Sequence, residues 1–96
     1  MDRRPFQVIL TKAALKDVHK LKSARLEDKA IEIRDILSFN PYSPKYEKLN
    51  GLNNCYSRRI NIQHRLVYEV DNKNKIVKVL RMWTHYEYRI GQYDPI

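Results

Sequence analysis

The sequence predicts an α+β domain, and three observations carry that reading. A short apolar run, Phe6-Gln7-Val8-Ile9-Leu10, comes first. Two stretches of helical periodicity follow it, ending at Asn40-Pro41. Beyond Asn54 the apolar period becomes two over several short runs. Strand, helical hairpin and then a meander of about three strands is a segregated order, not the alternation of a parallel α/β sheet. At 96 residues the chain is expected to form one domain over 1–96, with one modest core.

The elements can be justified in order. Phe6–Leu10 reads as the first strand. Thr11 is a plausible N-cap, because its hydroxyl can accept an orphan backbone N–H. Ala14, Val18 and Leu21 then recur at helical spacing. Ser23 is expected to cap a second helix, whose stripe is Leu26, Ala30, Ile33 and Leu37. Asn40-Pro41 ends it, since proline disfavours helix in the residue before it. Pro41 to Asn54 reads mostly as loop, with a short extended piece at Glu47–Leu49. Next, Ile60, Leu66, Tyr68 and Val70 share one parity, whereas Ser57, Arg59, Asn61, Gln63 and Arg65 share the other. If Ile60 and Leu66 face the core, Arg59 and Arg65 share the opposite face. Arg58 and Val67 break the alternation. Asp71-Asn72-Lys73-Asn74 is a turn, and Ile76–Trp83 suits a central strand covered on both faces.

The net charge is +8 and the pI about 9.7, with 19 lysines and arginines against 11 acids. Such a chain attracts polyanions, although the same balance also describes an ordinary soluble basic protein. Cys55 is the only cysteine, which excludes an internal disulfide and a cysteine metal cluster. No apolar run approaches the roughly 20 residues that span a bilayer, and Met1-Asp2-Arg3-Arg4-Pro5 is not followed by a signal-peptide core. The expected location is the cytoplasm, without membrane attachment. No metal or cofactor site is expected.

Residues suited to phosphodiester chemistry concentrate between Glu47 and Tyr86. Cleaving RNA without a metal needs a base for the ribose 2′-hydroxyl, an acid for the departing 5′-oxygen, cations for the phosphorane, and a means of holding the nucleotide in line. Glu47 or Glu69 could be the base, and His85 or His64 the acid, since histidine titrates near neutrality. Arg59 and Arg65 present planar forks of donors suited to a phosphate. Tyr86 could stack on a base or hydrogen-bond a phosphate. Each has a plainer reading. A loop glutamate is by default solvated, a strand-end histidine is more often structural, and an arginine pair often just keeps a sheet soluble. His64 falls in an expected turn and His19 on a lysine-rich helix face, so both read as surface residues. Trp83 and Tyr68 read as core or core rim, and Cys55 as a small buried residue. Lys12, Lys16 and Lys20 form a row at helical spacing, either a solvated face or a salt-sensitive contact to a nucleic-acid backbone.

The run Leu49, Gly51-Leu52, Tyr56-Ser57-Arg58-Arg59-Ile60, His64-Arg65-Leu66-Val67-Tyr68, closed by His85-Tyr86, resembles the YoeB/Txe branch of the RelE toxin superfamily. The resemblance extends over essentially the whole length up to Tyr86. It implies a small twisted, mainly antiparallel sheet with an N-terminal helical hairpin packed on one face, the RelE-like fold. It also implies the toxin of a bacterial type II toxin–antitoxin system, an mRNA interferase that cuts mRNA in the ribosomal A site. Carried onto this sequence, the motif makes Glu47 the general base, Arg65 the phosphate-stabilising cation and His85 the general acid. Arg59 and Tyr86 assist. The implied partners are an acidic antitoxin, the ribosome with its rRNA, mRNA, operator DNA only through the antitoxin, and a second copy of the chain as a homodimer option.

Two departures stand out. The lysine common after the leucine is absent, that position being Asn50; Lys48 is adjacent, but alternation points it the other way. Residues 87–96 extend past the His-Tyr ending of many relatives. Two other readings share the fold: a non-catalytic binding toxin of the gyrase-inhibitor type, and an inactive relative acting only in transcriptional autoregulation with its antitoxin.

Overall fold

A computed structural model describes residues 4–85, the last two by their backbone alone. The element order is β1 (Gln7–Leu10), α1 (Lys12–Ser23), α2 (Glu27–Phe39), β2 (Tyr46–Lys48), β3 (Cys55–Arg59), β4 (His64–Asp71) and β5 (Ile76–His85). These strands make one five-stranded sheet in the order β1-β5-β4-β3-β2. β1 runs parallel to β5, and the other three pairings are antiparallel. The α+β reading and the helical pair on one face are therefore as expected.

Local chemistry sets the helix boundaries. Thr11 is extended and its hydroxyl accepts the N–H of Ala14 at 3.1 Å, capping α1 as expected. The same hydroxyl donates to the Leu80 carbonyl at 2.9 Å, which ties the helix start to β5. Ser23, expected to cap the second helix, is instead the last residue of α1. Arg25 takes a left-handed conformation with φ 61°. The Leu26 N–H then reaches back to the Leu21 carbonyl at 2.8 Å, and the Arg25 N–H to that of Lys22 at 3.0 Å. This paired closure ends a helix, so α2 begins only after Leu26. It has no side-chain cap; Glu27 and Asp28 in its first turn complement the helix dipole. Asn40 ends α2 as expected.

The helical side of the sheet carries the main core. Ala14, Leu21, Ile33 and Leu37 pack on Leu66, Tyr68, Val70, Val77, Val79 and Met82. Toward β3 and β2 no helix among the described residues covers this side. A group of tyrosines does so instead: Tyr42, Tyr46 and Tyr56 meet edge to face, with centroids 5.4 to 6.1 Å apart, and Tyr56 leans on buried Tyr68. Burial pushes the Tyr68 phenol up, and its hydroxyl donates to the Pro41 carbonyl at 2.7 Å.

Among the described residues, the other side of the sheet has only a small apolar cluster, Leu49, Cys55 and Val67 with Leu80 against it. It explains why Val67 broke the expected alternation. It also corrects the expectation that β5 is covered on both faces. β5 is interior, but Lys78 on this side is exposed, because no second layer packs there among the described residues.

Candidate active site

Cross-strand register brings the candidate residues together on the open side. Glu47 on β2 lies opposite Ser57 on β3, which lies opposite Val67 on β4. One step along, Arg59 lies directly opposite Arg65, the shared face predicted from alternation. Like charges in that position are unfavourable, and Glu47 answers them. Its Oε1 is 2.9 Å from Nη2 of Arg65, whose side chain is 12% exposed against 63% for Glu47. Nε of Arg65 donates to the Ser57 hydroxyl at 2.9 Å. Arg65 is thus a sunken guanidinium held at two of its nitrogens, with a solvated carboxylate at its rim.

Arg58 positions this carboxylate from behind. It occupies the core parity of β3, only 6% exposed. Its Nη1 and Nη2 donate to the carbonyls of Ser43 and Pro44 at 2.7 and 3.0 Å. Those carbonyls belong to the loop leading into β2, where Lys45 is left-handed at φ 79°. A buried charge is tolerated only when hydrogen-bonded, and the bonds that satisfy Arg58 fix the loop that delivers Glu47.

The alternative base and acid fall elsewhere. Glu69 lies on the open side but beyond Val67, opposite Cys55 and Lys78, with the Lys78 ammonium 4.0 Å away. With Glu69, burial raises the Cys55 thiol above its ordinary value. His64 is corrected most. It was expected on the surface of a turn, yet it opens β4 and is 5% exposed. The Asn61 side chain accepts the N–H groups of Gln63 and His64 at 2.9 and 2.7 Å. That tightens the turn and draws His64 into the ladder. Its ring stacks on Trp83 with centroids 3.8 Å apart. His64 alternates with Arg65, so it belongs to the helical side.

The backbone of His85 lies opposite His64, and that of Thr84 opposite Arg65. The end of β5 therefore runs beside Arg65, while Tyr86 and residues 87–96 lie outside the described residues. Lys48 pairs with Tyr56, on the parity opposite to Glu47, and Asn50 is an exposed turn residue. Lys12, Lys16 and Lys20 are all exposed on α1, as is His19. They lie across the sheet from Glu47 and Arg65, so the structure does not join the lysine row to the site.

A buried ion pair escaped the sequence reading. Asp17 on α1 is 1% exposed. It accepts Nε and Nη2 of Arg81 at 2.9 and 3.2 Å and the Met82 N–H at 2.9 Å. Burial pushes this carboxyl up, but the bonds from Arg81 and Met82, with the charges of Arg81 and Lys20, outweigh it and hold Asp17 below its ordinary value. The pairing of β4 with β5 shifts register twice beside this point, between Arg65 and Tyr68. The signal was present: Asp17 falls within the apolar stripe, between Ala14 and Leu21.

A family model described as the ParE toxin of type II toxin–antitoxin systems, parDE, matches residues 8–89. The chain belongs to the ParE/RelE superfamily of type II toxin–antitoxin toxins. Solved structures agree. A YoeB/ParE toxin from Agrobacterium tumefaciens is 26% identical with a TM-score of 0.75, over 84% of this chain and 100% of that one. A YoeB dimer from Staphylococcus aureus is 30% identical with a TM-score of 0.73, over 85% and 99%. The RelE of an archaeal RelE–RelB complex from Pyrococcus horikoshii is 27% identical with a TM-score of 0.71, over 88% and 99%. Comparison with curated proteins gives no significant match. Within the superfamily the YoeB-like members carry the likeness inferred from the Ser-Arg-Arg-Ile and His-Arg-Leu-Val-Tyr runs. Among the described residues no helix is long and apolar enough to cross a membrane, and no group of three His, Cys, Asp or Glu side chains is placed to hold a metal ion.

Proposed function

We propose that this toxin is a ribosome-dependent endoribonuclease that cuts mRNA in the A site. The observation that carries the reading is the Glu47–Arg65 contact on an open sheet face, with Arg59 opposite Arg65. Glu47 takes the proton of the 2′-hydroxyl, which attacks the adjacent phosphorus. Arg65, with Arg59, stabilises the charge that gathers on the phosphoryl oxygens. His85, at the end of β5, protonates the departing 5′-oxygen. The products are a 2′,3′-cyclic phosphate and a 5′-hydroxyl end. Tyr86 assists at the nucleotide, and the ribosome supplies the ordered strand that a domain this small does not hold in line by itself. The solved RelE–RelB complex supports an antitoxin as the protein partner, and the net charge of +8 favours an acidic one.

The family match to ParE favours a second reading, a toxin that poisons DNA gyrase without cutting RNA. One experiment separates the two. Purified toxin is added to mRNA-programmed ribosomes and, in parallel, to gyrase with supercoiled DNA. Primer-extension stops at A-site codons, with gyrase unaffected, are the expected result. Gyrase inhibition with intact mRNA reverses the assignment.

A further inference from the structure

We propose that a cleft at the end of α1 binds an unpaired nucleotide of ribosomal RNA, with the base on Trp83 and the phosphate at Lys20. The choice of ribosomal RNA rests on the ribonuclease reading. Among the described residues the cleft is lined by His19, Lys20, Ser23, Ala24 and Trp83, and its volume is about 410 Å³. Small-ligand sites usually span about 300–1,000 Å³. The cleft exists because Arg25, in its left-handed conformation, turns the chain away at the end of α1, so the last turn of the helix stands open beside β5.

His19, Lys20, Ser23 and Ala24 are exposed, whereas Trp83 is half-buried. Its ring is anchored before a ligand arrives. It packs against the main core, and the His64 ring stacks on it with the planes 19° apart. The cleft reaches what those contacts leave uncovered. A fixed ring loses little freedom on binding, and every base has a face that can stack on one. The Ser23 hydroxyl can donate to or accept from a base edge. Lys20 brings an ammonium to the same wall. It also ends the row of Lys12, Lys16 and Lys20, so a phosphate backbone lying along the row arrives at Trp83. The source follows from position. Trp83 packs on the helical side, whereas Arg65, paired with the next residue, Thr84, serves the open side. The cleft therefore takes RNA other than the strand being cut.

Trp83 is the only tryptophan of the chain, so its fluorescence reports on the cleft directly. The probe is a short single-stranded RNA carrying 2′-O-methyl groups, which has no 2′-hydroxyl to attack. Saturable quenching is expected, and an abasic strand of equal charge should leave the emission unchanged. Trp83→Leu should weaken binding to ribosomes without mRNA by about tenfold or more, the scale of one lost stack. Ser23→Glu should do the same by placing bulk and negative charge in the cleft. Lys29→Gln on α2 makes an equal charge change elsewhere and should bind close to native. If Trp83→Leu fails to fold by circular dichroism, quenching and Ser23→Glu decide. Emission indifferent to the RNA, or equal quenching by the abasic strand, overturns the site. A Trp83→Leu defect confined to ribosomes carrying mRNA assigns the cleft to the cut strand and overturns the ribosomal source. Toxin that cuts ribosomal mRNA without a Trp83 response loses this cleft and keeps the ribonuclease reading. A Trp83 response in toxin that cuts nothing removes that reading, and the ribosomal source with it.

Discussion

Asp17 on the first helix accepts the backbone N–H of Met82, 65 residues later in the chain, at 2.9 Å. It binds the Arg81 guanidinium as well, so one buried carboxylate joins α1 to the strand that ends at His85. Removing one partner of such a pair leaves an uncompensated buried charge. Asp17→Ala should therefore cost about 3–5 kcal/mol of stability, and Asp17→Ala with Arg81→Met should recover part of it. Urea unfolding checks both.

The same carboxyl makes stability depend on acid. Its folded value lies below the ordinary aspartate value, so the unfolded chain takes up the proton first as pH falls. The contribution is therefore complete above about pH 4 and is lost as pH falls through the lower, folded value. Asp17→Asn should flatten the acid limb of the stability curve. An unchanged acid limb would show that Asp17 binds its proton equally well in both states.

Arg65→Ala should reduce chemistry more than ribosome binding. A donor aimed at charge that develops in the transition state is worth on the order of 3 kcal/mol in comparable sites. Single-turnover rates at saturating toxin measure this. A native rate at saturation would assign Arg65 to binding alone.

His85→Gln should slow cleavage by roughly 10²–10⁴-fold, the usual contribution of an acid–base group. An RNA with sulfur in place of the bridging 5′-oxygen has a leaving group that departs without a proton. On that substrate the variant should approach native rate. If it stays equally slow on both substrates, His85 is not the acid.

Reversing Lys12, Lys16 and Lys20 to glutamate should weaken ribosome association and flatten its salt dependence, without disturbing Glu47 or Arg65 across the sheet. Co-sedimentation over a salt series measures the effect, with circular dichroism to confirm folding. Native affinity and slope would leave the row as a solvated face.

Much of this fold is legible because periodicity is a local signal. Alternation predicted the shared face of Arg59 and Arg65, and the Thr11 cap needed only its neighbours. What stayed hidden depended on partners distant in sequence. His64 looked like a turn residue until the Asn61 side chain closed the turn and Trp83 covered its ring. Arg58 broke the pattern because its partners are loop carbonyls some 15 residues away. Ser23 was misread because Arg25, not a glycine, takes the left-handed position that ends α1. At the site, Glu47, Arg65 and His85 came from motif likeness; the place of Ser57 beneath Arg65 required the register of β3 on β4.

The position of β5 bears on when this toxin can first act. It is made after every other described element, yet it lies inside the sheet, between β1 and β4. Until Ile76 to Val79 exist, β1 lacks the strand it pairs with, and until Arg81 and Met82 follow, Asp17 lacks the guanidinium and amide that it binds. A nascent chain thus holds its first strand and first helix in waiting. The edge of β4 that carries Arg65 is covered only when the last described strand is placed between β1 and β4, a long-range step of the kind that folds slowly. Glu47, Arg65 and the end of β5 therefore come together only once the last described strand is in place.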